Sequence, residues 1–275
     1  LGTLQRLFRT PEDFLRDLEK WWMKLHDTYY KRVQCPPIPV FSKRAFGRDL
    51  EESIMPAHFT ANYGTLRQYL LAQSGAKPRV AVYGGTFNPP GLHHREIVIF
   101  LAGLFEKVLI VPCGPRKDKS PTNVSSGQRK EMILLAFKDF PSGSVEFDFS
   151  DLDRDVFTPT CELDEKYRQQ FAGSELWYVI GEDIIEGGSA GNSEIQRIWK
   201  NGTLIWNELN FVVINRPDFL INPKDLPPSS YRVEMTAAMM GRSSLIRERA
   251  TRGEPIEGLV APEVARYIKE NQLYI

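Results

Sequence analysis

Paired cysteines are what this sequence most plainly lacks. Its 275 residues include three cysteines, Cys35, Cys113 and Cys161, far apart and odd in number. There is no C-x-x-C and no Cys/His ligand spacing, which argues against structural zinc and a disulfide framework. A reducing compartment is the simple expectation. An excess of charge of one sign is also missing, because 35 Lys and Arg balance 35 Asp and Glu. No global field draws the chain to a nucleic acid polymer or an anionic membrane. No apolar run nears the ~20 residues of a membrane span. The opening stretch, LGTLQRLFR, has neither the long apolar core of a secretory signal nor an initiator Met. A trimmed start leaves a lost targeting segment open, and a cytoplasmic protein is the expectation. Repeats and low-complexity segments are absent.

What is present centres on Arg79 to Phe105, RVAVYGGTFNPPGLHHREIVIFLAGLF. Val80 to Tyr83 make a short apolar run that suits a buried strand. Gly84 and Gly85 end it with residues tolerant of any backbone angle. Asn88, Pro89, Pro90 and Gly91 are turn chemistry. From His93 onward, Ile97, Phe100, Leu101 and Leu104 have helical spacing. The unit is strand, glycine turn, tight loop, helix. A helix N-terminus behind such a turn suits a phosphate. Yet neither GxGxxG nor GxxxxGK[ST] occurs in this stretch.

Residues 1–78 read as a helical extension. Thr10 caps a predicted helix to Lys31, with an apolar stripe of Phe14, Leu18, Trp21, Trp22, Leu25 and Tyr29. Cys35-Pro-Pro-Ile-Pro breaks it, and Ala61 to Gln73 reads as a second helix. Ser74 to Pro78 is a linker, so the boundary falls there. Over residues 79–275 strands and helices alternate. Strands are expected at Val108–Val111, Val145–Phe149, Leu176–Ile180, Phe211–Ile214 and Val233–Met235. Helices are expected at Gln128–Phe140, Glu162–Phe171, near Glu194–Trp199, from Ser243, and over Pro262–Glu270. This order predicts an α/β fold, a doubly wound parallel sheet. Ligands of such sheets sit at the carboxyl ends of the strands. Gly84–Gly85, the loop after Pro112 with Arg116, Lys117 and Lys119, and Gly181–Asp183 all fall at such ends.

The string Gly85, Thr86, Phe87, Pro89, His94 resembles the nucleotidylyltransferase signature G-[ST]-F-x-P-x-[HT]-x-x-H. One position departs: Gly91 stands where the family has its first His or Thr, and His93 precedes the last. Further along, Arg129 and Met132 resemble R-x-x-M. Phe157-Thr158 resembles the aromatic–Thr pair of mononucleotide adenylyltransferases, although Pro159 to Cys161 do not follow it. Gly181-x-Asp183 resembles G-x-D, and Trp199 and Arg216 resemble the Trp and Arg that follow. Arg242-Ser-Ser-Leu-Ile-Arg247 resembles S-S-T-x-[IL]-R. The ending LVAPEVARYIKENQLY is similar to that of bacterial nicotinate mononucleotide adenylyltransferases.

The resemblance runs from about residue 79 to the end and implies a Rossmann-like nucleotidylyltransferase fold. It implies adenylyl transfer from ATP, with Mg²⁺, to nicotinate or nicotinamide mononucleotide, releasing pyrophosphate in NAD biosynthesis. The substrate phosphate is then the nucleophile, and the protein aligns it and neutralises charge. The catalytic pair implied is His94 and Arg247. Gly84, Gly85, Thr86, Phe87, Gly181, Asp183, Ser243 and Ser244 would join them around ATP. Lys117 and Lys119 are candidates for phosphate. Phe157, Thr158 and Trp199 would meet the mononucleotide. No protein-bound metal site is implied, and the N-terminal stripe suits either the catalytic domain or a homo-oligomer. Two alternatives stay open: a different acceptor on the same fold, or a nucleotide-binding regulatory module with weak turnover, for which Gly91 speaks.

Overall fold

The computed structural model describes residues 77–115, 123–141, 143–215, 221–233 and 242–275. The helices expected in residues 1–76, the lysines Lys117 and Lys119, and Arg216 lie outside the described residues. Six strands make one sheet: β1 (Arg79–Gly85), β2 (Lys107–Pro112), β3 (Val145–Phe147), β4 (Glu175–Gly181), β5 (Asn210–Ile214) and β6 (Ser230–Val233). Their order is β3-β2-β1-β4-β5-β6 and every pairing is parallel. This is the doubly wound arrangement, with its switch point between β1 and β4.

Strand alternation builds two cores, one on each face. Ala81, Tyr83, Val108, Ile110, Val179 and Val212 point to one face, and Val80, Val82, Leu109, Tyr178 and Phe211 to the other. A period of two with both sets apolar is what a sheet covered on both sides requires. The first face is covered by α1 (Leu92–Ala102), α2 (Ser126–Phe137), α7 (Ser243–Thr251) and α8 (Pro262–Glu270). The second is covered by α4 (Thr160–Gln170), α5 (Glu194–Ile198) and α6 (Gly202–Glu208). A short helix, α3 (Ser150–Arg154), follows β3.

Most expected elements are found within a few residues. The last strand begins earlier than expected, at Ser230, and α3 and α6 were not anticipated. No helix of the described residues is long and apolar enough to cross a membrane.

Candidate active site

The site is built from the turn that leaves β1. Phe87 reverses the chain with φ +47°, and its ring is buried. A bulky residue in the left-handed region costs about 1–3 kcal/mol and persists only where its surroundings over-determine it. Here Tyr83 and Phe137 hold the ring edge-on, at 5.4 and 6.4 Å between centroids. A Cβ on Gly85 would come within 3.0 Å of that ring, so the glycine makes room for the phenylalanine. Asn88, Pro89 and Pro90 are buried and deliver the chain to α1.

His94 stands in the first turn of α1. Its Nδ1 accepts the N–H of Gly91 at 2.9 Å. The ring proton of the neutral imidazole is therefore on Nε2, which is left to donate. Burial, and then the neighbouring His93 ring at 3.8 Å, hold the imidazole well below its usual pKa. His94 is thus a neutral donor at physiological pH. Neither α1 nor α7 carries an acidic residue in its first turn, so both dipole ends stay positive.

The C-terminal motif docks on the same turn. The Arg247 guanidinium donates to the Asn88 carbonyl at 2.8 Å, and the Ser243 hydroxyl donates to the Pro89 carbonyl at 2.8 Å. Ile246, fully buried, fixes α7 against the core. Ser243 therefore braces the turn, and the exposed Ser244 is the free hydroxyl of the pair.

At the end of β4, Asp183 lies partly buried in a single 3-10 turn, Glu182–Ile184. Glu182 is fully buried and accepts from Arg232 of β6 at 2.9 Å. The following glycine loop is held by Asp225. Its carboxylate accepts from Gly187 N at 3.1 Å, Ser189 N at 3.0 Å and the Ser189 hydroxyl. The Ser189 bonds keep that carboxyl below the usual range.

The aromatic–Thr pair sits beyond α3. Thr158 is spent on Asp151, donating its N–H at 2.9 Å and its hydroxyl at 2.5 Å, while Phe157 is 50% exposed. A Cβ on Gly114 would lie 1.8 Å from the Val156 carbonyl oxygen, so the loop after β2 touches this segment backbone to backbone. Trp199 caps the end of α5 and packs, partly buried, on the second core. Arg129 is buried and donates to the Cys113 carbonyl at the end of β2. Sequence reasoning missed Gly114, Asp151 and the pairing of the turn residue Asn88 with Tyr274. The last two meet in a hydrogen bond from the Tyr274 hydroxyl to Asn88 Oδ1.

The doubly wound sheet thus brings a histidine and an arginine onto one turn at its switch point. The cytidylyltransferase-like family model matches residues 82–249. A "probable nicotinate-nucleotide adenylyltransferase" of Corynebacterium kroppenstedtii is 30% identical over 205 residues, covering 72% of this chain and 92% of the relative. The nicotinate-nucleotide adenylyltransferase of Bacillus subtilis is 26% identical, covering 71% and 98%. Among solved structures, Plasmodium falciparum nicotinic acid mononucleotide adenylyltransferase complexed with NaAD superposes with a TM-score of 0.58 at 21% identity, covering 72% and 97%. The chain belongs to the cytidylyltransferase-like family and, within it, to the nicotinate-nucleotide adenylyltransferases.

Proposed function

We propose that the chain transfers the adenylyl group of ATP to nicotinate mononucleotide and releases pyrophosphate. The observation that carries this reading is the convergence of His94, Arg247 and the Gly84–Gly91 turn at the carboxyl end of β1. The mononucleotide phosphate attacks the α-phosphorus, and a bond to the leaving pyrophosphate breaks. The Nε2–H of His94 donates to the phosphate under attack. Arg247 and the hydroxyl of Ser244 bind the leaving pyrophosphate, and Gly84, Gly85 and Thr86 let the triphosphate approach the backbone. Asp183 accepts from a ribose hydroxyl. Phe157 offers an exposed ring for the pyridine, and Trp199 is the second aromatic candidate for the mononucleotide. Lys117 and Lys119, in the loop after β2, are candidates for the phosphates.

ATP enters with Mg²⁺. An ion held by triphosphate oxygens and water would neutralise charge there and needs no dedicated protein cage. Residues 1–78 are proposed as a separate helical extension and 79–275 as the catalytic domain. The names of the relatives favour nicotinate over nicotinamide.

The test is pyrophosphate release from ATP with nicotinate mononucleotide, nicotinamide mononucleotide or phosphopantetheine as acceptor, and from CTP with acceptors of cytidylyl transfer. Release with nicotinate mononucleotide, and its dinucleotide product, is the expected result. ATP binding without product from any acceptor would favour the regulatory module, the reading for which Gly91 speaks.

A further inference from the structure

The C-terminal residues form a hook that returns to the active site. After α8 the chain turns through Gln272 and Tyr274, with φ +49° and +68°. Two non-glycine residues in the left-handed region are costly, and such outliers persist where surrounding contacts demand them. The contacts are specific. Leu273 N–H donates to the Ile268 carbonyl at 3.0 Å, and the Tyr274 carbonyl accepts from the Thr251 hydroxyl at 2.6 Å. The Ile275 carbonyl accepts from Asn123 at 3.3 Å. Tyr274 itself is 6% exposed.

Its hydroxyl donates to Asn88 Oδ1. The main-chain carbonyl of that same Asn88 receives the Arg247 guanidinium. Arg247 and Arg129 both lie within electrostatic reach of the phenol. A cresol-like group wedged beside two arginines does more than fill space, since phenylalanine would fill it as well. It holds the side chain of Asn88, whose carbonyl receives the Arg247 guanidinium.

We propose that Tyr274 is a positioning residue for ATP: its hydroxyl orients Asn88, and through Asn88 sets Arg247 on the leaving pyrophosphate. This deepens the adenylyltransferase reading and rests on it. Tyr274 touches no substrate, and its effect passes through the turn.

Tyr274→Phe removes the hydroxyl and keeps the ring. ATP affinity by calorimetry, KM for ATP and kcat are measured beside the melting temperature. The expected result is a 5- to 30-fold loss of ATP affinity, of the order of one buried hydrogen bond. KM for the mononucleotide should move less than twofold. Asn88→Ala should show a similar loss, and the double variant should be no worse than the worse single one, because both break one relay. Equal ATP affinity in a folded Tyr274→Phe chain, or additive losses in the double variant, would overturn the proposal. Equilibrium binding does not depend on the acceptor. A wild type that binds ATP while Tyr274→Phe matches it sinks this inference alone, whereas a wild type that binds no ATP sinks the adenylyltransferase reading with it.

Discussion

The turn after β1 and the turn after β4 leave the carboxyl ends of neighbouring parallel strands, yet they are braced in different ways. The β1 turn is held from far along the chain. Ser243, Arg247 and Tyr274 reach it across more than 150 residues of sequence. The β4 turn is held from the neighbouring crossover. Asp225 ties down Gly187 and Ser189, and Arg232 pairs with Glu182. Each brace matches the chemistry proposed beside it. In the proposed reaction the β1 turn presents groups to charge that moves during transfer, and its brace contains Arg247, the arginine proposed to meet that charge. The β4 turn carries the carboxylate proposed for a ribose that does not react, and its brace of hydrogen bonds and one ion pair contains no group proposed to meet substrate. Breaking the first brace should therefore damage turnover, and breaking the second should damage stability.

His94→Ala tests the first half most severely. It removes the Nε2 donor and the acceptor of the Gly91 N–H. Loss of one preorganised donor costs about 100- to 1,000-fold in kcat. The melting temperature should fall little. A folded variant with kcat within tenfold of wild type would take His94 out of the reaction.

Arg247→Ala and Gly188→Ala form the direct comparison. Arg247→Ala should cost roughly 2–3 kcal/mol in kcat/KM for ATP, or about 30- to 150-fold. Gly188 is at the other turn. A Cβ there would lie 2.3 Å from the Trp206 ring and 2.6 Å from the Asp225 carbonyl oxygen. Relieving that clash should cost about 1–3 kcal/mol of stability, read as a lower melting temperature, with kcat of the folded fraction changed less than fivefold. The comparison breaks if the two variants exchange symptoms.

Much of this was legible in the sequence, and the residues that were not share a reason. The strands declared themselves because both faces are apolar, and the glycine turn because Gly84, Gly85, Asn88 and the prolines have few other uses. The His94 and Arg247 motifs were visible by resemblance. Their mutual contact was not, since no local pattern links Arg247 to the Asn88 carbonyl. Gly114 looked like ordinary loop glycine, and only the Val156 carbonyl shows why a side chain is excluded. The Thr158 hydroxyl donates to Asp151 and the Ser243 hydroxyl to the Pro89 carbonyl, partners that no local pattern names. Hydroxyls are satisfied by whatever backbone or carboxylate the fold brings near, and sequence does not reveal which.

Gly91→His refines the β1 side. The family signature has His or Thr there, and glycine contributes only its N–H. The backbone at Gly91, φ −94° and ψ 171°, is extended and suits any residue. The added side chain should raise kcat by about 5-fold or more if it meets the phosphates, the worth of roughly one hydrogen bond. An unchanged rate would mean that this chain has redistributed the contact, with His93 the nearest candidate. His93→Ala then decides, because it should slow turnover only if His93 has taken over that contact.

The smallest expected effect is a null result in pH. His94 has a folded pKa well below 6.5, set first by burial and then by the positive charge His93 would carry. The sign follows from the neutral form being favoured. Its contribution to stability is complete above pH 6.5 and is lost as pH falls below that value. Between pH 6.5 and 8 the imidazole does not titrate, and Nε2 keeps its proton throughout. The nucleophile behaves differently, because a phosphate monoester has its second pKa at about 6. The acid limb of kcat/KM for the mononucleotide should therefore fall near pH 6 and belong to the substrate. His93→Ala removes the charge that depresses His94, so the His94 pKa should rise, while the limb stays with the phosphate. An NMR titration of the two imidazoles beside the pH–rate profile separates the groups. If the limb follows the His94 resonance and moves upward in His93→Ala, the histidine is a titrating acid during turnover, and its assignment as a permanently neutral donor on the β1 turn fails.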